Sequence, residues 1–138
     1  MLVFPESRRN EKAWPYFGDF LEAVAISHPK RQFAWCGSDR LTGSCPDLPN
    51  VRNLSGQTSL LDIVALIQSA TGIIANDSGP IHIAAAVGTP VLGLFAPTSP
   101  ELYGPYPLTE PTHMTLRAED HTMVSLRLEK VSQSSHRI

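Results

Sequence analysis

Cysteine is scarce: Cys36 and Cys45 are the only two in 138 residues. They have no CxxC spacing and no neighbouring histidine, so neither a disulfide framework nor a cysteine-held metal is expected, and both are read as reduced thiols. No apolar run approaches the roughly 20 residues of a membrane helix. Charge of either sign is modest, at 17% of residues with a formal balance of −2. That balance argues against a nucleic-acid surface or an anionic membrane as the main partner. The opening Met1-Leu2-Val3-Phe4-Pro5 lacks the basic segment and long apolar stretch of a secretory signal, which predicts a cytoplasmic chain. Internal repeats and charge blocks are missing as well.

What remains is an ordinary globular composition, 42% apolar, of a length that predicts a single domain over 1–138. Leu2-Val3-Phe4 reads as a strand, and its position at the first residue suggests the middle of a larger architecture. Phe17, Phe20, Leu21 and Val24 follow the i, i+3, i+4, i+7 spacing of a helix ending near Ser27. Gln32 to Cys36 reads as the next strand. Residues 37–50 hold glycines and prolines without helical period, so the crossover to Val51-Arg52-Asn53-Leu54 is expected to be loop or distorted turn. Thr58 to Ala70 reads as a well-buried helix, with Ser59 and Asp62 as a capping box. His113 to Arg117 is a candidate edge strand, and 118–138 is a tail with a terminal helix beginning near Ser125.

The organising stretch is Ile73 to Phe95, read as strand, tight polar turn, short helix, strand. Ser78-Gly79-Pro80 supplies a hydroxyl cap, a permissive backbone and a residue suited to a first helical turn. Gly88 with Thr89-Pro90 ends the helix. Free N–H groups and the helix dipole would then favour an anion beyond the strand end. Strands alternating with helices predict an α/β fold with a parallel sheet covered on both faces.

The run from Asn76 to Thr98, NDSGPIHIAAAVGTPVLGLFAPT, resembles the donor-site signature of the heptosyltransferases, the ADP-heptose:lipopolysaccharide glycosyltransferases of the GT-B fold. Leu54 to Leu60 resembles the family's "NLAGKTSL" segment. Ser7-Arg8 with Lys12-Ala13-Trp14-Pro15 resembles its "SR…KRWP" loop, and Tyr103 to Tyr106 its "TGPYG". Order and spacing follow the family's C-terminal lobe from about residue 1 to residue 117.

The resemblance implies a Rossmann-like three-layer lobe with a mainly parallel sheet of about six strands in the order 3-2-1-4-5-6, the C-terminal half of a GT-B fold. It places a nucleoside diphosphate sugar, ADP-linked, across the carboxyl ends of the strands at the switch point. Lys12 with Ser78 and Gly79 would hold the diphosphate, supported by His82, Ser7 and Arg8. Asp77 would meet the sugar, because a carboxylate repels a diphosphate and accepts from hydroxyls. Each has a plainer alternative: capping for Asp77, packing for His82, solvation for Lys12. The resemblance implies neither metal nor cofactor, so protein groups would meet the leaving-group charge.

Two departures from the family stand out. Ser38 and Asp39 stand in for its glycine-rich turn and ribose-binding acid, and the helix that should follow is missing. The N-terminal lobe, which in the family holds the acceptor and supplies the catalytic base, is absent from this sequence. The expectation is therefore a donor-binding half of a heptosyltransferase-like enzyme, completed by a separate acceptor lobe or a homo-oligomer. The alternative is a non-catalytic module that binds a nucleotide or a protein partner. Trp14 and Trp35 are read as packing residues.

Overall fold

Strand side chains alternate between two covered faces, and that alternation organises the molecule. The computed structural model describes residues 1–6, 14–76, 79–95 and 113–117. Its strands are β1 (Leu2–Phe4), β2 (Phe33–Trp35), β3 (Val51–Asn53), β4 (Ile73–Asn76), β5 (Val91–Phe95) and β6 (His113–Arg117). The helices are α1 (Phe17–Ser27), α2 (Leu60–Ser69) and α3 (Gly79–Val87). The six strands form one sheet in the order β3-β2-β1-β4-β5-β6, and every neighbouring pair is parallel. This is the expected topology, with β3 and β6 at the edges.

Val3, Ile74, Leu92 and Leu94 point to the face covered by α1, where they join Trp14, Phe17, Phe20, Leu21 and Trp35. Their neighbours Leu2, Phe4, Ile73, Ala75, Val91 and Phe95 point to the opposite face, under Ile67 of α2 and Ile81 and Ala84 of α3. Period-two alternation with both sets apolar is what a parallel sheet between two helix layers requires. Helix α1 buries the predicted residues Phe17, Phe20, Leu21 and Val24. Trp14 and Trp35 are both core residues, as expected.

The prediction of a well-buried α2 is corrected. Only Ile67 is fully enclosed, and Leu60 and Leu61 are 72% and 81% exposed. The helix meets the sheet along one stripe, Ile63, Leu66, Ile67 and Ala70 at i, i+3, i+4 and i+7. Apolar residues off that stripe have nothing to pack against.

The capping box is present: the Ser59 hydroxyl accepts from the Asp62 amide at 3.1 Å, and the Asp62 carboxylate accepts from the Ser59 amide at 2.8 Å. The bond from the Ser59 backbone, then that from its side chain, holds the Asp62 carboxyl below its ordinary value of 3.8. A carboxyl lowered on folding stabilises the native state above the unfolded value, and that contribution is lost as pH falls through the folded value. Ser59→Ala is expected to cost about 1 kcal/mol near neutral pH. Urea denaturation should show the gap between parent and variant narrowing once the pH passes below 3.8.

Between β2 and β3 the chain makes a 3-10 turn, Asp39–Ser44, in place of a crossover helix. Trp35 Nε1–H donates to the Leu41 carbonyl at 3.1 Å, and Asn53 Nδ2–H donates to the Thr42 carbonyl at 3.0 Å. The turn is thus tied at both strands it joins. At the other end of the sheet Asn50, 7% exposed, places its Nδ2 within 3.1 Å of the carbonyls of Ala25, His28 and Arg31. Both cysteines are free thiols, and burial pushes the Cys36 thiol up to about 12, so it stays protonated in the core.

Candidate functional site

In a doubly wound sheet the ligand crevice opens beyond the carboxyl ends of the strands, where the chain order reverses. Here that point lies between β1 and β4, since β1 leads by α1 to β2 on one side and is paired with β4 on the other. The segments leaving these strands decide what the crevice offers.

From β4 the chain passes through 77–78 into α3, whose first residue is Gly79. Pro80 occupies the first turn, as predicted, and Gly88 ends the helix at φ +82°, the left-handed value expected at that position. Gly79 itself is exposed and has no positive φ, and among the described residues a Cβ added there would meet nothing within 4 Å. Its backbone conformation is thus open to other residues, and what glycine provides is a bare first turn. His82 is exposed one turn later, while Ile81 and Ala84 are completely enclosed. The packed-histidine reading therefore fails. Asp77 and Ser78 lie outside the described residues, as do Ser7, Arg8, Lys12, Thr98, Tyr103, Tyr106 and the terminal helix expected near Ser125.

From β2 the chain enters Gly37-Ser38-Asp39. Gly37 has φ +142° and Gly56 φ +70°, both unfavourable for residues with a Cβ, and the Gly56 N–H donates to the Gly37 carbonyl at 2.8 Å. The turns after β2 and β3 are locked together by this pair. Asp39 packs on that lock, with its Cβ 3.2 Å from where a Gly56 Cβ would stand.

Sequence reasoning missed Glu6, which follows β1. Its Oε2 accepts from the Ser38 amide at 3.0 Å and from the Ser38 hydroxyl at 2.5 Å, while Oε1 lies 3.7 Å from Arg40 Nη1. Ser38 therefore spends both its donors on Glu6, and its hydroxyl also accepts from the Arg40 amide at 3.4 Å, so the exposed Asp39 is the freer acceptor of this turn. No spacing rule pairs residues 6 and 38; only the adjacency of β1 and β2 does.

Asn76 was read only as part of the signature. It is wholly buried at the tip of β4, accepts from the Trp14 N–H at 2.9 Å and donates to the Pro5 carbonyl at 2.8 Å. Among the described residues no cluster of three or more His, Cys, Asp or Glu side chains could hold a metal ion. No helix among them is long and apolar enough to cross a membrane.

A parallel sheet of this order, with α3 opening at its switch point and an acidic turn beyond β2, defines one Rossmann-like lobe whose ligand crevice lies at its strand ends. Residues 1–123 match the family Glycosyltransferase family 9 (heptosyltransferase). The chain belongs to that family. It is 34% identical over 116 residues to the lipopolysaccharide core heptosyltransferase OpsX of Haemophilus influenzae, a match covering 77% of this chain and 33% of the relative. It is 44% identical over 84 residues to lipopolysaccharide heptosyltransferase 2 of Salmonella typhimurium, covering 61% of this chain and 20% of that protein.

Among solved structures, E. coli heptosyltransferase WaaC with ADP superposes with a TM-score of 0.85 at 21% identity, over 99% of this chain and 44% of that one. E. coli ADP-heptose LPS heptosyltransferase II gives 0.80 at 25% identity, over 98% and 44%. The fold is that of the GT-B heptosyltransferases, and the chain spans less than half the length of these relatives.

Proposed function

We propose that this chain is the donor-binding half of a heptosyltransferase, holding a nucleoside diphosphate heptose for metal-independent, inverting transfer to a lipopolysaccharide-core-type acceptor. The observation that carries the reading is the family match over 1–123 combined with where the fold puts the signature: at the switch point, opening α3 with a bare Gly79. In this reading Lys12, Ser7 and Arg8 with Ser78, Gly79 and His82 meet the diphosphate, and Asp77 meets the sugar. Ser38 and Asp39 face the nucleoside.

The chemistry follows from those roles. As the sugar–oxygen bond breaks, negative charge grows on the departing diphosphate, and preorganised N–H donors with a lysine stabilise it without rearrangement. Deprotonation of the acceptor hydroxyl needs a base on the opposite face of the sugar. That base belongs to an acceptor lobe, brought by a separate chain or a second copy. The compartment this reading favours is the cytoplasm, where nucleotide sugars are available.

NMR titration of the labelled chain with ADP, UDP and GDP tests the reading. Saturable shifts at Gly79 and His82, with a preference for ADP, are expected. Lys12→Ala should weaken binding about tenfold, the loss of one charge-assisted contact. Gly79→Ala is a sharper probe: the helix tolerates it without strain, so the thermal midpoint should hold while ADP affinity falls, because the new methyl group covers the bare first turn. Nucleotides that leave Gly79 and His82 unmoved at millimolar concentration would favour a non-catalytic module instead.

A further inference from the structure

Glu6 follows β1, and one of its carboxylate oxygens gathers two donors from the turn beyond β2. Oε2 accepts from the Ser38 amide at 3.0 Å and from the Ser38 hydroxyl at 2.5 Å. Hydrogen bonds to an ionised acceptor are roughly twice as strong as neutral ones. Oε1 faces Arg40 Nη1 at 3.7 Å, but the arginine side chain is 56% exposed, and an exposed pair at that distance adds little. The Ser38 bonds are therefore what ties this turn to β1.

The backbone is built around that tie. A Cβ on Gly37 would stand 3.3 Å from Glu6 Oε2, so the close approach and the φ of +142° both call for glycine. On its other side the Gly37 carbonyl accepts from the Gly56 N–H at 2.8 Å. Asp39 thus follows two consecutive residues, one locked to the turn after β3 and one braced from β1, and is itself exposed. An aspartate side chain is short, so the place of its backbone decides what its carboxylate can reach. A turn fixed before a ligand arrives carries no ordering cost on binding.

We propose that Glu6 is a positioning residue for the nucleoside of the donor, holding the Ser38-Asp39 turn so that the Asp39 carboxylate meets the nucleoside hydroxyls. This rests on the donor-site reading above and adds a residue that touches no ligand atom itself. The sign of the effect separates it from a merely solvated carboxylate. A negative charge near the crevice repels a diphosphate, so removing it would leave ADP binding unchanged or tighten it. Loss of a brace weakens binding instead.

The test is a double-mutant cycle on ADP affinity, with Glu6→Ala and Glu6→Gln made alone and combined with Asp39→Ala. Alanine at 39 keeps the Cβ that packs on Gly56 and removes only the carboxylate. Glutamine at 6 keeps an acceptor for Ser38 and removes the charge. Thermal unfolding checks that each variant folds, and hydrogen exchange at the Ser38 amide reports whether the brace has opened. Glu6→Ala is expected to weaken ADP about tenfold and Glu6→Gln less than about threefold. Asp39→Ala should cost about tenfold in the parent but less than about threefold beside Glu6→Ala, because the two residues act as one unit. Equal factors for Asp39→Ala in both backgrounds would overturn the proposal, as would unchanged or tighter ADP binding in a folded Glu6→Ala variant. ADP binding indifferent to Asp39→Ala overturns the positioning role and leaves the donor site standing. A parent chain that binds no ADP removes the donor site and this inference with it.

Discussion

Trp14→Ala is expected to remove about 3–5 kcal/mol of stability, the range for truncating a large aromatic in a core. Trp14 is 2% exposed and meets Phe17 and Tyr16 edge-on at centroid distances of 5.1 and 6.0 Å, with Phe20 tilted at 5.9 Å. Alanine would leave three rings facing a void, and no neighbour can close it without disturbing the seating of α1 on the sheet. Against a total stability of about 5–15 kcal/mol for a domain, that is a large share. For a chain of this size the thermal midpoint should fall by about 10–20 °C. A calorimetric scan showing less than about 1 kcal/mol of loss would mean the aromatic cluster is not the centre of this face.

Asn50→Leu should be almost as severe and for a different reason. Its Nδ2 is shared among three carbonyls that end α1 and turn the chain toward β2, while its own carbonyl accepts from the Phe33 amide at 2.9 Å. Leucine keeps the bulk and withdraws the donor: the buried contact to the Ala25 carbonyl and the part-buried one to Arg31 are lost, at about 1–3 kcal/mol for a buried unsatisfied group, while the His28 carbonyl keeps the Arg31 amide at 3.0 Å. A loss of about 2–4 kcal/mol is expected in urea denaturation, with the m-value unchanged. Asn50 lies at the amino ends of the strands, far from the crevice, so on the donor-site proposal the remaining folded protein should bind ADP as the parent does. Weakened affinity at full occupancy of the fold would show that the α1–β2 turn reaches the crevice.

These two residues illustrate what the sequence carried and what it withheld. The strands, α1, the capping box and the end of α3 were legible because each depends on local spacing: period two, period 3.6, Ser59 three residues before Asp62, Gly88 before Pro90. The strand order came from resemblance, through the signature and the Trp14-Pro15 loop, and the fold agrees. Asn50, Asn76 and Glu6 were not legible as connectors, because their partners lie 25, 71 and 32 residues away and no periodicity links such pairs. The overstatement of α2 burial has the opposite origin. Composition made every face of that helix look like core, whereas the sheet offers it one stripe. Of the proposed diphosphate contacts, only Gly79 and His82 fall on described residues, and both are exposed at the start of α3.

The missing crossover helix has a consequence for how chains of this protein meet one another. Edge strands with unpaired backbone groups are templates on which a second polypeptide can extend the sheet. Among the described residues no helix flanks its outer side, yet β3 runs for only three residues and carries the exposed Arg52 at its centre. A foreign strand would gain few hydrogen bonds there and would have to accommodate a cation beside its own backbone. Shortness and charge together take over the guarding role that a covering helix would have had.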